Sequence, residues 1–133
     1  MPRQSNKHGK AGEDAAANYM IRKGYAILER NYRIRGGEID IIAKDGDCLV
    51  FAEVKTRKSR AYGAAAEYVT RKKQGLIIRA ALSYMGDADR EYRFDVIEVY
   101  CEEIQGEVYI SEINHIENGF GMEDDEFGEI FGI

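Results

Sequence analysis

The sequence predicts a single α/β domain in which a mixed β-sheet is flanked by helices. A chain of 133 residues, 44% of them hydrophobic, is the size of one ordinary domain with a real core. Apolar residues recur at helical spacing in two segments and favour strand-like runs in five others. The order of those segments is helix, three strands, helix, two strands, with no internal repeat, and that order calls for a sheet with helices packed on it.

Each element has its own signal. Residues Met1–Lys10 are polar and are expected to be loose. Ala11–Lys23 reads as the first helix, because Ala15, Ala16, Tyr19 and Met20 fall at helical spacing and Gly24 is a good stop. Ala26–Ile34 alternates loosely as a strand and ends at Gly36-Gly37, a tight turn. Glu38–Lys44 is the second strand, closed by the hairpin signal Asp45-Gly46-Asp47. Cys48–Lys55 is the third. It is apolar on both faces over most of its length, which marks a central strand. Arg57–Ala66 reads as a loop. Thr70 is placed to cap a second helix running to Met85, with Leu76, Ile77, Ala80, Ala81 and Tyr84 on its apolar side. Arg93–Tyr100 and Glu107–Ile113 are the last strands, paired across Gln105-Gly106. The folded domain is expected to span residues 1–116, with residues 117–133 as a flexible acidic tail.

Composition excludes several classes. No apolar run approaches the length needed to cross a bilayer, and no apolar stretch follows the basic N-terminal residues as in a signal peptide. Cys48 and Cys101 lack zinc or redox spacing and read as reduced thiols, so a cytoplasmic protein is expected. The formal net charge is −5, which at first sight argues against nucleic acid. However, six acids from Glu117 onward have no Lys or Arg among them, and the rest of the chain carries one more base than acid. Within Val54–Ala80 the only acid, Glu67, stands against Lys55, Arg57, Lys58, Arg60, Arg71, Lys72, Lys73 and Arg79. The middle of the chain is locally basic.

Side chains alternate across a strand, so Glu38 and Asp40 should share one face with Ile39 and Ile41 on the other, while Glu53 and Lys55 share a face. Alternate residues stand roughly 6.5 Å apart, near enough for carboxylates to converge on one ion. Magnesium wants oxygen ligands at about 2.0–2.1 Å and keeps several waters, so Asp40, Glu53 and a backbone carbonyl would suffice. Lys55 beside it could assist an attacking water or steady a phosphoryl charge. The competing reading is that Glu53 and Lys55 form a same-face ion pair worth about 0.2–1 kcal/mol and nothing more.

The runs Gly37-Glu38-Ile39-Asp40 and Phe51-Ala52-Glu53-Val54-Lys55-Thr56-Arg57 resemble the PD-(D/E)xK nuclease superfamily, which includes restriction endonucleases and archaeal Holliday-junction resolvases. With Gly12-Glu13, Leu28-Glu29-Arg30-Asn31-Tyr32-Arg33 and Arg93-Phe94-Asp95-Val96, the chain is similar more closely to the YraN (UPF0102) family of small bacterial proteins. The resemblance covers Gly9 to about Ile116. It implies an αβββαβ restriction-endonuclease-like core, Asp40 and Glu53 as metal ligands and Lys55 as catalytic lysine. It also implies Glu13 as a helix-borne acid beside the site, although Glu13 reads equally as an acid favouring a helix N-terminus. Gln74 matches a glutamine that some relatives carry on the second helix. Ile39 stands where the superfamily's proline would precede the aspartate.

The function expected is a Mg2+- or Mn2+-dependent endonuclease acting on DNA, with branched or damaged DNA as the candidate substrate. Glu13, Glu38, Asp40, Glu53 and Lys55 would form its catalytic set. The alternative is a nucleic-acid-binding module that keeps the fold without turnover. Arg57, Lys58, Arg60, Arg71, Lys72 and Lys73 are the expected phosphate contacts, with Tyr62 and Tyr68 available for stacking. A homodimer would suit the cutting of two matched strands. His8 and His115 read as incidental, and the family resemblance implies structural support for Asp95.

Overall fold

The computed structural model describes residues 7–58 and 69–121. The elements run α1 (Lys7–Arg22), β1 (Ala26–Ile34), β2 (Gly37–Asp45), β3 (Cys48–Arg57), α2 (Arg71–Met85), β4 (Tyr92–Ile104) and β5 (Glu107–Phe120). One sheet holds these five strands in the order β1-β2-β3-β4-β5. Neighbours are antiparallel except β3 and β4, which run parallel across the α2 crossover. This is the mixed sheet flanked by helices of the restriction-endonuclease-like core.

Each helix buries its apolar stripe on a different face. Ile77, Ile78, Ala80 and Ala81 of α2 pack with Ile42, Leu49, Phe51 and Phe94. Ala16, Ala17 and Met20 of α1 pack with Ile41, Ala43, Val50, Ala52, Ile97 and Val99 on the other side. The central strand β3 therefore alternates between two cores, which is why it is apolar on both faces. Thr70 caps α2 as expected, its hydroxyl accepting from Lys73 N at 3.1 Å.

Close approach explains two glycines. A Cβ on Gly12 would lie 2.2 Å from Thr56 Oγ1, so only glycine lets α1 touch the end of β3. A Cβ on Gly37 would lie 2.8 Å from the Leu76 carbonyl oxygen and 2.9 Å from Ala80 N. Gly36, with φ of 80°, makes the turn, while Gly37 begins β2 and serves packing.

Helix α1 starts earlier than Ala11, the expected first residue. Lys7 anchors its first turn by donating to the Gly106 carbonyl at 2.7 Å and pairing with Glu103. The expected tail boundary also moves. β5 runs through Glu117 to Phe120, because Asn118 N donates to Asp95 at 2.9 Å and the Phe120 ring stacks on Phe94 at 5.1 Å. Those partners are remote in sequence, so the local Gly- and acid-rich composition did not reveal them. The remainder of the tail lies outside the described residues.

Candidate functional site

The β2–β3 ladder ends at the pair Ile41–Ala52, while β3 continues beside β4 as far as Arg57. In the gap, Val54 N donates to Asp40 Oδ2 at 2.8 Å. A carboxylate thus takes the place of a ladder carbonyl and satisfies a backbone donor at the fork.

The expected alternation of β2 fails at this point. Ile39 joins the α2-side core and Ile41 the α1-side core, so they do not share a face. At this level of the β1–β2 ladder Arg30 and Tyr32 pair with Ile41 and Ile39, and Asn31 between them has a left-handed φ of 55°. Glu38 and Asp40 therefore do not stand as a simple same-face pair. Asp40 sits at the fork, whereas Glu38 accepts a hydrogen bond from Lys73 of α2.

Glu53 lies in β3 on the face of Phe51, toward α2, and is 5% exposed. Burial raises its pKa, and the Asp40 carboxyl adds to the rise by charge and by a shared hydrogen bond. Lys73 and Lys55 oppose it, and the net result is pushed up to about 8. Among the described residues, Lys73 is the cation paired with it, its Nζ 3.9 Å from Glu53 Oε2. The other carboxyl oxygen, Oε1, is buried with no hydrogen-bond partner. An orphaned buried oxygen of this kind is costly and calls for an explanation.

Glu13 approaches from α1. It is half-buried, and its pKa is raised by burial and by the charge of Asp40, against a hydrogen bond from Asn31 and the charge of Arg30. Arg30 also binds Asp14 at 2.9 Å. Glu13 thus faces the Asp40 side of the fork, where its helix spacing with Ala16, Ala17 and Met20 should point it. Lys55 is half-buried, two residues beyond Glu53, and stands in register with Glu98 of β4. Glu98 is itself buried and accepts from Asn114 at 2.9 Å and from the Tyr100 hydroxyl at 3.2 Å.

Lys73 is one of the expected phosphate contacts. Its side chain turns in, binding Glu38 and approaching Glu53, and is 26% exposed. Helical spacing held the clue: Lys73 shares the inward stripe of Ile77 and Ala80, whereas Arg71 and Lys72 are exposed. Gln74 also faces inward, but its amide donates to the Val69 carbonyl at 2.9 Å, which ties down the start of α2.

The expected phosphate contacts divide. Arg57 and Lys58 line a hollow of about 400 Å³ with Thr56 and with Lys7, His8 and Gly9 of α1. Lys7 and His8 share Glu103 as a carboxylate partner. Arg60, Tyr62 and Tyr68 lie outside the described residues. Among the described residues, no three His, Cys, Asp or Glu side chains gather into a cluster able to hold a metal ion. The acids come together as the pair Asp40–Glu53, with Glu13 and Glu38 approaching from different sides.

A second polar centre, on the α1 side of β4, was not foreseen as a unit. Asp95 is fully buried and accepts from Arg93 Nε at 3.0 Å and Asn118 N at 2.9 Å, with His115 Nε2 at 2.7 Å. Tyr19 Oη lies 2.9 Å from His115 Nδ1, and Arg93 also reaches Asp45 at 3.1 Å and Tyr25 Oη at 2.6 Å. His115 is therefore a tie between α1, β4 and β5. Only the residue types hinted at this, because its partners come from distant segments. The expected supporting role of Asp95 matches this arrangement.

No helix among the described residues is long and apolar enough to cross a membrane. Cys48 and Cys101 are free thiols. Residues 12–99 match the model of a family described as uncharacterised protein family UPF0102. A UPF0102 protein of Alkaliphilus oremlandii is 47% identical over 121 residues, covering 87% of this chain and 99% of its own. One from Symbiobacterium thermophilum is 50% identical over 98 residues, 71% of this chain and 83% of its own. One from Geobacter sulfurreducens is 45% identical over 117 residues, 86% and 88% of the two chains.

Proposed function

The chain belongs to the UPF0102 family, and from that premise we propose that it is a nucleic-acid-binding protein built on a nuclease-type fold. The observation that carries this reading is the placing of cations around the fork. Arg57 and Lys58 extend β3 directly beyond Lys55, beside Lys7 of α1, and the exposed Arg71 and Lys72 open α2 next to Lys73. A phosphate backbone following the end of β3 would meet these charges in succession, and binding of this kind weakens steeply with salt.

A second reading, metal-assisted phosphodiester cleavage, is favoured by the orphaned Oε1 of Glu53 beside Asp40. Two carboxylates fit a hard cation that keeps several waters, so Asp40 and Glu53 would hold Mg2+ or Mn2+, with Glu13 and Glu38 as outer acids. When bound, such an ion supplies Lewis acidity and activates water. Lys55 would orient the phosphoryl group and balance its charge. With no third acid gathered beside this pair among the described residues, the arrangement supports binding more strongly than turnover.

Both readings are tested on duplex, single-stranded and four-way DNA. Binding should occur without metal, should fall linearly in a log–log plot against salt, and should weaken about tenfold in Arg57→Ala/Lys58→Ala. Salt-independent or absent binding would refute it. Cleavage that appears with Mn2+ and disappears in both Asp40→Ala and Lys55→Ala would establish the second reading. Activity surviving both substitutions would place the reaction elsewhere.

A further inference from the structure

We propose that Lys73 is a built-in stand-in for a divalent cation: its ammonium is a resident counter-charge shared by Glu38 and Glu53, and an ion entering at Asp40–Glu53 must contend with it or displace it. The inference rests on the second reading above, that this carboxylate pair takes an ion.

Position supports it first. Lys73 lies in the first turn of α2, where Thr70 fixes its backbone N–H at 3.1 Å and no acid is present to complement the helix dipole. A cation is disfavoured at that end of a helix. The side chain nevertheless turns toward the sheet and sets its charge on Glu38, 3.9 Å from Glu53 Oε2. An ammonium is a compact point charge with three donors on a flexible stem, so it can both bridge two carboxylates and swing away.

The contrast within Glu53 points the same way. One oxygen faces the Lys73 ammonium, while Oε1 is buried without a partner. Lys73 thus offsets part of the charge of the site but leaves its coordination incomplete. A divalent ion on Glu53 would face a like charge within a few ångströms unless Lys73 moved out, and at that range repulsion in a partly buried setting is strong. Removing the ammonium should therefore tighten ion binding while weakening the protein that has no ion.

The test is calorimetric titration of manganese alone into the full chain at one fixed pH, comparing wild type with Lys73→Met, Lys73→Gln and Lys73→Arg. The neutral variants should bind about tenfold or more tightly, and Lys73→Arg should stay near wild type. Glu53→Gln should abolish the signal in every background. Without manganese the Lys73→Met melting temperature should fall, and the rise produced by manganese should exceed that of wild type. If Lys73→Met does not fold, Lys73→Gln, which keeps a hydrogen-bonding head, carries the comparison. Manganese binding that is removed by Glu53→Gln yet not strengthened in the neutral variants overturns the role of Lys73 alone. Absence of binding to wild type and every variant overturns the ion-site reading with it.

Discussion

Two acids buried in neighbouring central strands, Glu53 of β3 and Asp95 of β4, meet opposite fates. Asp95 is surrounded by donors from Arg93, His115 and Asn118. Burial alone would raise its pKa, but the bonds from His115, Arg93 and the Asn118 amide outweigh it and hold the carboxyl below its ordinary value. Glu53 has a like charge beside it, the Lys73 ammonium no nearer than 3.9 Å and an oxygen with no partner. The first arrangement is what a structural acid requires, since a buried charge is tolerated when it is paired and hydrogen-bonded. The second is costly to the fold by itself and is the kind of perturbed group that gathers at functional sites.

The sharpest way to break this comparison is Asp95→Ala. It would leave the half-buried Arg93 and the buried His115 without their shared partner, at a cost of about 3–5 kcal/mol in urea unfolding. A loss below 1 kcal/mol would mean that the network is not what joins β4, β5 and α1.

The pH dependence of stability should separate the two acids next. The raised pKa of Glu53 means that the folded state binds more protons than the unfolded one. Its contribution to stability is full below 4.5 and is lost as pH rises to about 8. A change on the order of a few kcal/mol is involved. Glu53→Gln should flatten that slope and gain on wild type as pH rises. Asp95 has the opposite sign: its contribution is present above 3.8 and is lost only as pH falls through its lowered value. Parallel profiles for wild type and Glu53→Gln between those limits would contradict the Glu53 assignment.

The smallest effect sharpens the comparison from the helix side. Thr70→Ala removes the cap that fixes Lys73, at about 1 kcal/mol, and leaves the Asp95 network untouched. The loss should therefore be greater where Glu53 is ionised, above pH 8, than at pH 5, measured as paired unfolding curves.

Much of the fold was legible in the sequence because local rules govern it. The boundaries of β1 and the Thr70 cap coincide with their signals, and β3 read as central because both its faces are apolar. The pairing of Asp40 with Glu53 was also legible, since a hairpin between the two strands brings them side by side. The face assignment of Glu38 was not, because Ile39 and Ile41 enter different cores and Lys73 of α2 takes up Glu38, contacts that strand alternation alone does not reveal. The continuation of β5 to Phe120 was hidden as well. Truncation before Asn118 would remove a core ring and a donor to Asp95.

By itself, the sequence determined which segments become helices and strands, which strand is central, and that acids, a lysine and a run of cations sit near one another along the chain. Those properties depend on periodicity and on neighbours a few residues away. Tertiary structure decided which acid is satisfied and which is left wanting, that Lys73 turns inward, and that His115 is a structural tie. These outcomes depend on donors and charges brought from distant segments, and the electrostatics of a buried carboxyl are set by whatever the fold places around it.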